Sequence, residues 1–294
     1  SDLWWTGYGD PALGVLIAEA LASSPDIAAA AARVRIADGL AQQAGAALLP
    51  SLTADGFAGG NKQSKSLGIP PQFIPDGIQE TGRVTGTFSF DLDLWGKNRA
   101  NLSAATSEAD AARVDAAQTR LMLSTNIASA YADLDQYFAQ RDVAVEALKV
   151  RQATLDLTAQ RVAVGVDTRG SLKQAESRVP AARADIQALD EAIALTRNRI
   201  AALLGKGPDR GLAIARPRLT EAATGVPADA GIELVGRRPD IVAARLRSEA
   251  AAKRIKAAKA DFLTTLSLTA VVGLQSLCFD QLFKGASSYG PCRA

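Results

Sequence analysis

The sequence contains no histidine, and aromatic residues make up only 5% of its 294 residues. Histidine-based general base catalysis, histidine metal ligation and a histidine-containing catalytic triad are therefore excluded. Cys278 and Cys292 are the only cysteines, and two cysteines cannot build a zinc site alone. Two alternatives stay open for them, a disulfide formed in an oxidising compartment or two unpaired thiols.

Long apolar runs are also missing. No stretch reaches the roughly 20 apolar residues that a membrane-spanning helix needs, and no signal peptide is recognisable. The start at Ser1, without methionine, suggests a processed or trimmed end. Charge is nearly balanced, with 33 basic and 31 acidic residues, so composition does not favour nucleic acid as a partner. Alanine is abundant, which favours long helices.

A helical hairpin organises the chain. The pattern runs from Asn98 to Val164 without proline or glycine, turns at Gly165–Gly170, and returns to Leu203. Pro180 lies within the return arm, where it is expected to kink or loosen the helix. Apolar or small residues recur every three or four positions, which predicts a coiled coil. They are Tyr131, Leu134, Phe138, Val145, Leu148, Leu155, Ala159 and Val162, then Leu172, Ala175, Val179, Ala182, Ile186, Leu189, Ile193, Ile200 and Leu203.

Alternating residues predict two strands before the hairpin. The first, from Leu49 to Gly60, is weak because its apolar members are small. The second is clear, with polar residues at Arg83, Thr85, Thr87, Ser89, Asp91 and Asp93 and apolar residues or glycine between them. Its length matches the roughly 9–11 residues of a tilted membrane-spanning strand. Taken alone, it is described better as half of an ordinary antiparallel sheet with one solvated face.

The beginning of the chain returns after residue 230. Ser23–Ile27 reappears as Arg237–Ile241 at an offset of 214, and eight further identities follow without a gap. This agreement predicts an internal duplication. The second unit has a helix and a strand, and it is expected to end before any return strand or hairpin. The predicted segments are 1–48 (N-terminal helices), 49–95 (strand hairpin), 96–205 (long helical hairpin), 206–230 (linker) and 231–294 (second repeat).

Six short motifs in this order are similar to those of one known family. They are Trp4-Trp5, Gly9-Asp10-Pro11, Pro25-Asp26-Ile27, Asp93-Leu94-Trp95-Gly96-Lys97, Leu203-Leu204-Gly205 and Arg237-Arg238-Pro239-Asp240-Ile241. The whole chain resembles the TolC-like outer-membrane efflux proteins, and most of all the lipoprotein channels paired with resistance-nodulation-division pumps. The lipidated cysteine of that subfamily would precede Ser1. The implied fold is mainly α with a minor membrane β part, a coiled-coil hairpin plus antiparallel barrel strands, internally duplicated.

The resemblance implies a role for two sets of residues. In a homotrimer, each protomer would give four strands to a twelve-stranded barrel and long helices to a periplasmic tunnel. The polar strand face would line the lumen, through Arg83, Thr85, Thr87, Ser89, Asp91 and Asp93. The hairpin tip would contact a periplasmic adaptor protein and help to close the gate, through Arg161, Val162, Gly165, Val166, Asp167 and Thr168. Gly170 and Ser171 depart from the family's usual Leu-Asp.

The sequence therefore predicts a subunit of a tripartite efflux channel in the Gram-negative outer membrane, with a periplasmic extension. It would be a passive conduit without cofactor or catalysis, working with an adaptor and an inner-membrane pump. Because the second hairpin is missing, we expect this chain alone not to conduct. Asp91, Asp93 and Asp167 would bias the pore toward cations, or are simply solvated acids. The alternative function is a soluble periplasmic coiled-coil adaptor. Gly165–Gly170 lacks the Lys-Ser/Thr of a P-loop, so an enzyme has little support.

Overall fold

The computed structural model describes residues 3–64, 66, 68, 70–74, 76–220, 236–276 and 279–290. The chain divides into two compact units. Unit 1 comprises Ser1–Arg35 and Ala111–Ala244, and unit 2 comprises Ile36–Asp110 and Arg245–Ala294.

Helices dominate the described residues. They are α1 (Pro11–Ser23), α2 (Pro25–Ala46), α3 (Lys97–Ala163), α4 (Arg169–Leu203), α5 (Pro208–Leu212) and α6 (Pro239–Ala260). The strands are β1 (Ser51–Asn61), β2 (Gln79–Leu92), β3 (Leu266–Ser276) and β4 (Ser288–Tyr289). Across the described part of the chain, no single helix has the length and apolarity to cross a membrane, although α1 and α2, joined at a 45° bend, meet both criteria together.

Helices α3 and α4 form the predicted antiparallel hairpin. Ion pairs join Asp133 to Arg199, Arg141 to Asp190 and Arg151 to Asp185 along its length. Most of the register predicted for the return arm is confirmed, because α4 buries Ala175, Val179, Ala182, Ile186, Ile193 and Ile200, with Thr196 at the same spacing. The predicted Leu172, Leu189 and Leu203 are only partly buried. Helix α4 continues through Pro180. A narrow seam and cross-hairpin ion pairs therefore hold the two arms together.

The core of unit 1 lies where α1 covers the base of the hairpin. Most of the buried side chains come from α1, α3 and α4. Helix α1 packs its apolar face on the hairpin and covers side chains that the two arms alone could not bury. The cluster includes Trp5, Leu13, Leu16, Ile17, Leu123, Ile127, Tyr131, Leu134, Ile193, Ile200, Leu204 and Ile214. No such cluster of large side chains continues along the hairpin toward the turn among the described residues.

The segment predicted as a linker packs on this core as far as Thr220. It contains α5, whose Arg210 forms a two-pronged pair with Glu19 of α1 at 2.8–3.2 Å. Ile214 is buried, and the amide of Thr220 donates to the carbonyl of Tyr8 at 3.0 Å. Residues 221–230 of the predicted linker lie outside the described residues.

Unit 2 contains an antiparallel sheet in the order β1-β2-β3-β4. Strand β2 begins at Gln79, four residues before the predicted start at Arg83, because β1 extends to Asn61 and supplies backbone partners there. The expectation that no return strand would follow β3 is also wrong. Ser288 and Tyr289 pair with Leu274 and Gly273.

The two predicted repeats contain the same order of elements. Helices α2 and α6 each have 22 residues and begin at Pro25 and Pro239, which are 214 positions apart. Strands β1 and β3 each have 11 residues. The duplication itself stays a prediction. Cys278 and Cys292 both lie outside the described residues, so neither alternative for the two cysteines is tested.

Candidate functional site

The hairpin turn has a fixed backbone. The amide of Gly165 donates to the carbonyl of Val162 at 3.1 Å, and the amide of Val166 donates to the carbonyl of Arg161 at 2.9 Å. These two bonds form a Schellman motif, which ends α3 at Ala163. Gly165 has φ +75°, a left-handed conformation that costs other residues steric energy. The sequence places glycine where the turn requires it.

Side chains fix the other half of the turn. The hydroxyl of Thr168 accepts from the amide of Ser171 at 3.1 Å and so caps the start of α4. The carboxylate of Asp167 accepts from the amide of Thr168 at 2.8 Å and lies 3.6 Å from the guanidinium of Arg161. The amide of Thr168, the hydroxyl of Ser171 and the charge of Arg161 hold the pKa of Asp167 below its usual value. Asp167 is thus ionised and restrained.

The six predicted tip residues all lie within the eight-residue segment Arg161–Thr168, at the turn between α3 and α4. Val164 and Val166 are both exposed there. The result is a small apolar surface beside the ion pair of Asp167 and Arg161. Such a surface can pack against another helical end. In the part of the chain that the structure describes, no group of acidic residues or cysteines could hold a metal ion.

Strand β2 brings five of the six predicted lumen residues to one face of the sheet, namely Arg83, Thr85, Thr87, Ser89 and Asp91. By register, Ser51, Thr53 and Asp55 of β1 and Ser267 and Thr269 of β3 share this face. Arg83 lies 3.5 Å from Asp55, and the hydroxyls of Thr85 and Tyr289 form a hydrogen bond. This face is mostly polar across three strands, and by register Phe57 of β1 and Val271 of β3 are its large apolar members.

The placement of Asp93 on this strand face is wrong. Strand β2 ends at Leu92, and the carboxylate of Asp93 accepts from the amides of Asn98 and Arg99, each at 3.0 Å. The side chain of Arg99 also donates to Asp93 at 3.2 Å. Asp93 therefore caps the first turn of α3, where an acid is favoured by the free amides and the helix dipole. Its position just before the helical pattern was the signal for this capping role.

The opposite face of the sheet is apolar and exposed. It carries Leu52, Ala54 and Ala58 of β1, Val84, Phe88 and Phe90 of β2, and Leu266, Leu268, Ala270, Val272 and Leu274 of β3. Leu52, Leu268 and Val272 are all largely exposed. The sheet of unit 2 thus has one mostly polar face, partly covered at Thr85 by Tyr289, and one apolar face, an arrangement suited to a boundary between water and lipid.

Sequence reasoning missed a hydrogen-bond network in unit 1. The carboxylate of Asp10 accepts from the hydroxyl of Tyr131 and the amide of Arg218, each at 2.8 Å, and from the amide of Ala12 at 2.9 Å. Burial acts to raise the pKa of Asp10, but these three donors together hold it below its usual value. Burial, and then Asp10, raise the pKa of Tyr131. The Gly-Asp-Pro motif is a local capping signal for α1, but nothing in it indicates the distant partners of Asp10.

Comparisons with known proteins show the family of this chain. A family model described as "Outer membrane efflux protein" matches residues 16–206. This chain belongs to the outer membrane efflux protein family. The family consists of channel proteins rather than enzymes and places the chain in the Gram-negative outer membrane. The predicted resemblance is confirmed.

Individual relatives agree with this assignment. The chain is 38% identical to the fusaric acid resistance protein FusA of Burkholderia cepacia, over 92% of this chain and 51% of that protein. It is 29% identical to the multidrug resistance outer membrane protein MdtP of Escherichia coli O157:H7, over 97% of this chain and 60% of that protein. The chain therefore spans a little over half the length of these curated relatives.

A solved structure confirms the fold. The outer membrane protein VceC of Vibrio cholerae superposes with a TM-score of 0.90 at 40% identity, covering 99% of this chain and 69% of that one. The predicted fold class, mainly helical with a small antiparallel sheet, is confirmed.

Proposed function

We propose that this chain contributes strands and a helical hairpin to an outer-membrane efflux channel, a passive conduit for small toxic compounds. The observation that carries this proposal is the sheet of unit 2, with one mostly polar face and one apolar face, in a chain that belongs to the efflux family. The relatives' names, which include fusaric acid resistance, multidrug resistance and pyoverdine export, indicate the class of cargo.

The open edges of the sheet favour an assembly of several copies. Strand β1 has one neighbour in the described sheet, and β4 covers β3 only at Gly273 and Leu274. An unpaired backbone amide or carbonyl in lipid costs several kcal/mol, so a stable membrane sheet must close on itself. A homotrimer whose strands join edge to edge in one barrel satisfies this requirement.

The hairpin tip is the proposed contact for a periplasmic adaptor protein, which links the channel to an inner-membrane pump of the resistance-nodulation-division type. Val164 and Val166 would pack against the adaptor, while Arg161 and Asp167 would fix the register of the contact. The restrained turn supports this role because a preorganised surface loses little conformational entropy on binding. Gly165 and Thr168 act by holding that conformation.

The polar sheet face is the proposed lining of the pore. On this face Asp55 is balanced by Arg83, and Asp93 belongs to the α3 cap rather than to the face. Asp91 is then the acid of β2 that would bias conduction toward cations. A ring of like charges in a narrow pore has this effect because it concentrates counter-ions.

A chimeric channel tests the proposal. This chain would replace the matching part of the Burkholderia cepacia relative, in a host that lacks its own outer-membrane efflux channel. We expect a heat-resistant trimer in the outer membrane and restored resistance to fusaric acid. A chimera that reaches the outer membrane as a trimer without raising resistance would contradict the conduit, and a soluble periplasmic product would favour the adaptor.

A further inference from the structure

The aromatic side chains on the mostly polar face of the sheet are concentrated in one half. Toward the end where β2 leads into α3, the pairs of β1 and β2 on this face are serine with serine and threonine with threonine. In the half away from that end, Phe57 pairs with Arg83, and Tyr289 pairs with Gly273. Aromatic rings and a guanidinium therefore lie together in this half of the face.

Two glycines allow the aromatic rings to lie against the sheet. A Cβ atom at Gly59 would be 2.8 Å from Cζ of Phe57, and one at Gly273 would be 2.7 Å from Cζ of Tyr289. These separations are too short for any side chain, so both rings need glycine beneath them. The rings stay accessible, because Phe57 is 55% exposed and Tyr289 is 37% exposed.

A hydrogen bond fixes the ring of Tyr289. Its hydroxyl reaches across β3 and bonds the hydroxyl of Thr85 on β2, a residue that is only 7% exposed. Thr85 and Arg83 are two positions apart on β2, so they share one face and their Cα atoms are about 7 Å apart. The tyrosine ring is thus held beside the guanidinium before any ligand arrives. We call Phe57, Arg83 and Tyr289 the aromatic–arginine cluster.

The guanidinium of Arg83 keeps N–H donors for a ligand. Its ion pair with Asp55 measures 3.5 Å, which is longer than a hydrogen bond, and 48% of the Arg83 side chain is exposed. Guanidinium N–H groups form a planar fork that matches a carboxylate. Because Asp55 balances the charge of Arg83, a small inorganic anion gains little here. A ligand that adds ring contacts to its carboxylate fits the cluster better.

We propose that the aromatic–arginine cluster is a contact site for planar aromatic carboxylates that pass through the channel. The carboxylate accepts from Arg83, the ring packs against Tyr289, and Phe57 bounds the site from β1. This inference rests on the proposed function, in which this face lines the pore. Since Tyr289 is already held in place, the contact costs little conformational entropy. The channel wall would therefore retain aromatic acids longer than neutral compounds of the same size.

Fluorine NMR on the chain in lipid nanodiscs tests this preference. The probes are para-fluorobenzoate and its neutral analogue para-fluorobenzyl alcohol, whose signals broaden on binding, and empty nanodiscs give the baseline. We expect the native chain to bind the benzoate about tenfold more tightly than the alcohol, because charge-assisted hydrogen bonds are the stronger ones. Arg83→Gln should remove this preference. Tyr289→Leu should weaken the binding of both probes about fivefold, through the lost ring contact.

Two matched variants complete the test. Tyr289→Phe keeps the ring without its hydroxyl and should lose less affinity than Tyr289→Leu. Lys256→Gln removes an exposed charge from α6 and should leave binding unchanged. Equal binding of the two probes by the native chain, or equal losses in Arg83→Gln and Lys256→Gln, would overturn the contact site and leave the membrane-spanning sheet intact. If the chain does not co-elute with the nanodiscs, the sheet is not in the bilayer, and the proposed function fails together with the contact site.

Discussion

The base of the hairpin and the sheet differ in what covers their apolar side chains. In unit 1, α1 covers α3 and α4, and Tyr131 and Leu134 are buried within the single chain. In unit 2, Leu268 and Val272 of the sheet stay open to whatever surrounds the chain. The difference indicates that the base of the hairpin buries its own apolar side chains, whereas the apolar face of the sheet needs a surrounding medium to cover it.

Removing a core side chain of unit 1 should have the largest effect on stability. Leu134 is 0% exposed, so Leu134→Ala leaves a cavity and should lower the free energy of unfolding by about 4 kcal/mol. Val143 lies on the same helix but is 70% exposed, so Val143→Ala should change it by less than about 0.5 kcal/mol. Urea unfolding followed by circular dichroism compares the two. Equal losses of unfolding free energy in the two variants would mean that Leu134 is not part of a core formed within unit 1.

A charge on the open sheet should act only where the membrane is present. Leu268→Lys places an ammonium on the apolar face and should disfavour insertion into lipid by about 2 kcal/mol. Thr269→Lys, on the adjacent polar face, is the matched control and should insert normally. The fraction of chain that resists extraction from vesicles by urea measures the effect. Equal insertion of both variants would contradict the assignment of the two faces.

The hydrogen-bond network of Asp10 should contribute less than the core. Tyr131→Phe removes one donor to Asp10 and should cost about 1.5 kcal/mol, because a buried pair of polar groups is broken. Tyr137→Phe on the same helix serves as the control. Thermal unfolding of the two variants shows whether the hydroxyl of Tyr131 carries the difference. A loss as large in Tyr137→Phe would argue against it.

The same network predicts a dependence on pH. The folded pKa of Asp10 is lowered from its ordinary 3.8, so its contribution is fully present above pH 3.8 and is lost as the pH falls through the folded pKa. Asp10→Asn should therefore destabilise the protein at neutral pH, and the gap from the native chain should shrink below pH 3.8. A gap that stays constant there would show that the charge of Asp10 is not involved.

The smallest effect is expected at the hairpin turn. Gly165 has φ +75°, so Gly165→Ala should cost about 1 kcal/mol through backbone strain. Gly170→Ala, within the first turn of α4, should be neutral or slightly stabilising. Hydrogen exchange at the amides of Gly165 and Val166 detects local loosening of the turn. Faster exchange in Gly170→Ala than in Gly165→Ala would contradict this description.

Periodicity predicted most of the fold. A repeat of three to four residues predicted the hairpin and most of its buried register, and strict alternation predicted the faces of β2, because these spacings follow directly from helix and strand geometry. The turn at Gly165 could also be predicted locally, because glycine there ends a helical pattern that contains no other glycine or proline. The six motifs, taken in order, predicted the family. What local spacing determines was therefore accessible from the sequence.

Contacts between distant residues were not accessible in this way. The early start of β2 at Gln79 depends on pairing with β1, and β4 depends on pairing with β3, so weak local propensity was overridden by a neighbouring strand. Nothing near Asp10 indicates that Tyr131 and Arg218 bind it. Asp93 is a different case, since capping rules applied at the end of the strand would have assigned it to α3.

The most direct test of the account asks whether adjacent residues of β3 meet different media. Val271→Cys and Val272→Cys, each in a Cys278→Ser, Cys292→Ser background, lie on opposite faces of the sheet. In reconstituted vesicles, a charged water-soluble maleimide should label Val271→Cys, and a lipid-soluble pyrene maleimide should label Val272→Cys. Equal labelling of both positions by the charged reagent, or the reverse preference, would contradict a sheet that separates an aqueous lumen from lipid.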